Sequence, residues 1–143
     1  MINLLRKYHK WRLLDKNEKY CTISVLFWLS TWRLFTQLIP FVYWTKILKK
    51  CSLRSLKTYP SDFLLTSIFR CQMLFPHKNA CLIQALVFWT LIDTNKSLYF
   101  VIGVQKNDTD NFEAHAWIEN QTEILIGKRP FDHFIPIWSF TKI

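Results

Sequence analysis

Glycine is almost missing from this chain, with two residues in 143. Few positions can then take the left-handed backbone that tight turns prefer. Acidic residues are thin in the first sixty positions, where twelve Lys/Arg face two Asp/Glu for a net charge of +10. Residues 61–143 hold seven basic and eight acidic side chains, a net of −1. The two halves therefore address different surroundings. A basic, apolar first half suits a membrane surface, nucleic acid or an acidic peptide. No winged helix, zinc finger or RNA-binding signature accompanies that charge, which argues against nucleic acid. No cleavable signal peptide opens the sequence. The four cysteines, Cys21, Cys51, Cys71 and Cys81, lack the spacing of a small secreted scaffold. A cytoplasmic setting is the expectation, with peripheral membrane association left open. Cys71-x5-His77-x3-Cys81 offers three potential zinc ligands but no fourth in a matching knuckle, so neither a metal nor a cofactor is expected. Internal repeats and low-complexity segments are missing too.

What is present is hydrophobic: half of the residues, with 17% aromatic and seven Trp. That excludes disorder, and the length fits one domain, residues 1–143, with a real core. Leu4 to Leu14 reads as a short helical piece. Asp15 then caps a helix, with Glu18 closing a capping box, and this helix is expected to run to about Leu38 before Pro40. The run from Thr22 to Trp44 approaches the length of a membrane span. Arg33 within it and Pro40 at its break favour a buried or groove-lining helix pair, with peripheral membrane contact second and a true span third. Phe41 to Lys50 continues as an amphipathic helix, and Cys51 to Pro60 reads as a linker. Residues 1–60 thus form a basic, hydrophobic helical platform.

Residues 61–143 read as the core. Ser61 or Asp62 caps a helix through about Leu74, which Pro76 ends. Asn79 caps another from Cys81 to Ile92, with Leu82, Ala85, Leu86 and Trp89 at helical spacing. The period then changes. Leu98 to Val104 is a continuous apolar run of strand length, expected at the centre of a sheet. Phe112 to Glu119 and Glu123 to Ile126 follow as strands, and Phe131 to Phe140 as a last one that Pro136 confines to an edge. Helices first and an antiparallel meander after them make the class α+β.

Cys81 in the first turn of a helix and His115 within a strand make a candidate nucleophile and base. The helix end directs unpaired N–H groups and a positive dipole at the thiol, which favours the thiolate. It also offers an N–H to the oxyanion of a tetrahedral intermediate. His115 is flanked by the small Ala114 and Ala116, which leave room around the ring. Its role would be to take and return the proton. Trp117 shares its face if the strand alternates, and could wall a substrate cleft. The alternative for each is structural: a buried thiol, a satisfied strand histidine, a core indole.

The phrases Cys81-Leu82-x-x-Ala85-Leu86, Ile102-Gly103-Val104 and Phe112-Glu113-Ala114-His115-Ala116-Trp117-Ile118-Glu119 resemble the transglutaminase-like leader peptidases of lasso-peptide biosynthesis. The resemblance covers about a third of the chain, and the length of the amino-terminal helices suits the stand-alone protease form. It implies a helix-plus-antiparallel-sheet, transglutaminase/papain-like core, needing no cofactor or metal. In that reading Cys81 attacks the bond joining leader to core in a precursor peptide, and His115 is the acid/base. A separate leader-recognition protein and an ATP-dependent lasso cyclase are the implied partners. The family's third catalytic residue is often an Asp in the strand after the His, where this sequence has Gly127. Asp132 is the preferred substitute; Glu119 shares the His115 face but sits far from it. Behind Asp132, a backbone carbonyl, an Asn or a Gln could also orient the imidazole. A non-catalytic peptide- or membrane-binding scaffold, or acyl transfer to an amine, remains open as an alternative.

Overall fold

A computed structural model of the chain describes residues 11–50, 58–72, 80–93, 97–106, 111–128 and 133–142. Among the described residues four complete helices come first: α1 (Lys16–Leu38), α2 (Phe41–Lys50), α3 (Ser61–Gln72) and α4 (Ala80–Leu91). Four antiparallel strands follow: β1 (Leu98–Lys106), β2 (Phe112–Glu119), β3 (Ile124–Ile126) and β4 (Ile135–Lys142). The architecture is α+β, as the order of elements implies. The expected helical piece before Asp15 and the cap at Asn79 lie largely or wholly outside the described residues.

α1 starts where the sequence says it should. The Asp15 carboxylate accepts from the Asn17 amide, and the Glu18 side chain reaches back to the Asp15 N–H at 3.3 Å. The helix ends at Leu38, with Ile39 extended before Pro40, as the steric limits on a residue preceding proline require. Cys21, Val25, Leu29 and Trp32 form its buried stripe against α3 and α4. Polar pairs fix its rotation. Thr22 and Ser67 share a hydroxyl hydrogen bond at 3.2 Å, and Trp32 Nε1 donates to Thr90 Oγ1 at 3.0 Å. Both lie in the core, where an unmet polar atom would cost about 1–3 kcal/mol.

α4 is the central element. Ile83 and every residue from Ala85 to Leu91 are buried, which a helix achieves only when covered on all sides. Helices α1 and α3 cover one side, and strands β2 and β3 the other. Phe88 and Leu86 on α4 and Phe100 and Ile118 on the sheet are fully buried. Each contributes about 1.5–3 kcal/mol through apolar area removed from water.

The sheet order is β3-β2-β1-β4. β1 is internal, as its apolar run predicts, and β4 forms an edge. β4 does not extend the meander beside β3; it returns to pair with β1. Pro136 sits opposite Gly103 next to a register shift that passes over Ile137. A residue without an N–H is tolerated at such an edge irregularity. The end of the expected linker is also tied down. Tyr59 bridges Ile92, with backbone bonds to Leu91 O and from Asp93 N–H, and its hydroxyl meets Ser24 Oγ at 2.9 Å. Among the described residues no helix is long and apolar enough to cross a membrane.

Candidate active site

Cys81 is the second residue of α4, and His115 is the fourth of β2. The fold brings them together because α4 packs directly on β2. Cys81 is half-buried. Burial pushes its thiol up, and four interactions outweigh that and leave it below the ordinary value. They are a hydrogen bond with the His115 side chain, the Ala116 amide, the charge of His115, and the Leu82 amide. The Leu82 N–H belongs to the first turn of α4, so one of the helix's unpaired donors is spent on the sulfur.

His115 is 4% exposed and held on three sides. Its Nε2 donates to the carbonyl oxygen of Gly127 at 2.5 Å. With that nitrogen engaged, the buried Nδ1 is the ring atom available to the thiol. Trp117 stacks beside the ring at 6.2 Å with planes 19° apart, and Phe134, just before β4, lies 5.1 Å away on centroids. Trp117 is itself pinned, because its Nε1 donates to Glu119 Oε2 at 2.7 Å. His115, Trp117 and Glu119 alternate along β2 onto one face.

The two glycines of the chain both serve this corner. Gly103 is the cross-strand neighbour of His115. A Cβ there would come within 2.8 Å of Trp117 Cη2 and 2.9 Å of Cζ3. Gly127 follows β3 with φ +88°, a left-handed conformation that aims its carbonyl at the imidazole. A Cβ there would meet Ala116 O at 2.7 Å and Trp117 Cβ at 2.9 Å.

The expected residues thus fall as follows. Cys81 and His115 are brought together. Trp117 is buried against Gly103 and His115, and Glu119 holds the indole. Asp132 lies outside the described residues, as do His77 and Arg129. The position where an Asp was sought holds Gly127, and its backbone oxygen accepts from the imidazole. The first-turn N–H expected at the thiol is that of Leu82, whereas sequence reasoning did not single out Phe134 or the Ala116 amide. Backbone donors carry no residue-type signal, although a glycine in a chain with two of them was a hint.

A buried helix presenting a cysteine in its first turn to a histidine on an internal antiparallel strand defines a cysteine-protease-like fold. The Transglutaminase-like superfamily model matches residues 38–139, and the chain belongs to that superfamily. Its members commonly have cysteine protease or transferase activity. The match takes in α2 as well as α3, α4 and the sheet up to the middle of β4. No curated protein and no solved structure matches the chain.

Proposed function

We propose that this protein is a cysteine peptidase that removes the leader from a lasso-peptide precursor. The observation that carries the catalytic part is the lowered Cys81 thiol beside a histidine whose far nitrogen is already engaged by Gly127 O. The lasso-peptide part rests on the phrases around Cys81 and His115. The Cys81 thiolate attacks the carbonyl carbon of the leader–core bond, and the oxyanion forms at the amino end of α4, where backbone N–H groups stabilise it. The imidazolium gives its proton to the departing core amine as the C–N bond breaks. Water then gives a proton to His115 and its oxygen to the thioester, releasing the leader as an acid and restoring the thiol. A carbonyl suffices to hold the ring because a thiol is acidic enough to need less help than a serine hydroxyl. Trp117 is buried and braces His115. A separate recognition protein delivers the precursor, and an ATP-dependent cyclase takes the freed core amine.

The test is co-expression of precursor and recognition protein with the parent or with Cys81→Ala. The variant is expected to lose cleavage by at least about a thousandfold while keeping its circular dichroism. Undiminished cleavage by the variant overturns the peptidase reading. Product mass separates hydrolysis from transfer, since a released acid gains water and a transferred acyl group gains the acceptor amine.

A further inference from the structure

α1 has two apolar faces, and the fold covers one of them. Opposite the buried stripe stand Tyr20, Ile23, Phe27, Leu34 and Leu38, each more than half exposed, with Leu38 at 78%. Their spacing places them along one side of the helix, a line about 27 Å long. Past Pro40, Val42 and Tyr43 on α2 are exposed as well. Contiguous exposed apolar surface of this kind marks a contact site.

Two further features say what covers it. Ser30 and Thr31, the polar residues within the line, donate their hydroxyls to the carbonyls of Leu26 and Phe27 at 3.1 and 2.9 Å. They can therefore enter an apolar medium without leaving a donor unmet. The charge is also one-sided. From Lys19 to Ser61 the sequence has no acid at all, while Lys19, Arg33 and Lys46 lie on these two helices. The two acids at the start of α1 are committed elsewhere: Asp15 caps the helix, and Glu18 closes the box and faces Arg70 at 3.8 Å. A second copy would bring one pair of cationic helices against another. Anionic lipid headgroups complement the cations, and acyl chains accept the Leu and Phe side chains between them.

We propose that α1 and the start of α2 form an anchor that lies in the headgroup plane of an anionic membrane. It lies on the bilayer and does not span it. α3 and α4 sit behind α1, on its side away from the lipid. The anchor does not depend on the peptidase reading and stands or falls separately from it.

The full chain would be sedimented with vesicles of phosphatidylcholine alone and of phosphatidylcholine with about one third phosphatidylglycerol. Partition into the anionic vesicles is expected to be at least about tenfold stronger, and to weaken as salt is raised. Phe27→Glu with Leu38→Glu is expected to weaken it by a further hundredfold or so. Both positions are exposed, so this variant should keep its helicity and the pH profile of Cys81 alkylation. Any of three results overturns the proposal: no partition of the parent, equal partition of the double variant, or a stable dimer in solution that the double variant dissolves.

Discussion

Cys71 and Cys81 are ten residues apart and their thiols are driven in opposite directions. Cys71 is the next-to-last residue of α3 and 1% exposed. Its thiol is pushed up to about 11, first by burial and then by Cys21 beside it, with Arg70 pulling back weakly. Cys81 also suffers burial, yet its thiol is lowered. The difference is in the donors that meet each sulfur, and the helix end supplies a part of it. The last turn of a helix offers carbonyls and negative potential, and the first turn offers amides and positive potential. Cys81 gains the Leu82 amide from its own helix and His115 and Ala116 from the strand packed on it. Burial alone makes an inert thiol, and burial with donors makes a nucleophile.

The largest effect expected from this contrast is in alkylation. At pH 7 a thiol at about 11 is thiolate in roughly one molecule in 10⁴, so Cys71 should be nearly silent to iodoacetamide in the folded chain. Cys81 should react at least a hundredfold faster and keep its rate below the ordinary thiol range. His115→Ala removes the largest lowering influence and leaves burial in place, so the Cys81 profile should move upward in pH and its rate at pH 6.5 should fall about tenfold or more. Peptide mass mapping reads both sites at once. Comparable rates at the two cysteines, or a Cys81 profile unmoved by His115→Ala, would break the contrast.

Next in size is the glycine that orients the histidine. Gly127→Ala places a methyl against Ala116 O and Trp117 Cβ at a φ that L residues avoid. A loss of about 3 kcal/mol in denaturant unfolding is expected from the backbone strain and the clash together. Because the carbonyl must shift to relieve it, the Cys81 alkylation profile should move as well. Destabilisation with an unmoved profile would show that Gly127 shapes the turn without positioning His115.

Much of this was legible in the chain, and the reasons are local. The Asp15–Glu18 box, the pause at Pro40 and the change of period at Leu98 are encoded by neighbouring residues, so α1 and β1 could be placed without a structure. The same holds for His115 and Trp117, whose shared face follows from strand alternation. The return of β4 to β1 was not legible beyond its edge position, because strand choice is decided by contacts far apart in sequence. Asp132 was preferred for orienting the ring and a backbone carbonyl came behind it without a residue attached, since every residue owns one and only φ and crowding select Gly127. Hydrophobicity also misled in one respect. The apolar run in α1 suggests burial, and half of it faces outward, because periodicity reports an apolar face without saying what meets it.

The smallest effect turns the two cysteines into opposite slopes of stability against pH. For Cys71 the folded thiol titrates near 11 and the unfolded one near 9. Above pH 9 the unfolded chain gives up its proton first, so deprotonation favours unfolding. Stability is full below about pH 9 and falls until about pH 11, by roughly 2 kcal/mol. Cys81 has the reverse sign. Its folded thiol ionises below the unfolded one, so its contribution is present above pH 9 and is lost as pH falls through the folded value. Denaturant unfolding across pH, in the parent and in Cys71→Ala, isolates the first slope. The variant should be somewhat less stable at neutral pH because of the small cavity. It should then lose less than the parent between pH 9 and 11. Parallel curves over that window would mean that the buried thiol and its unfolded counterpart ionise alike, and the contrast between the two helix ends would then rest on Cys81 alone.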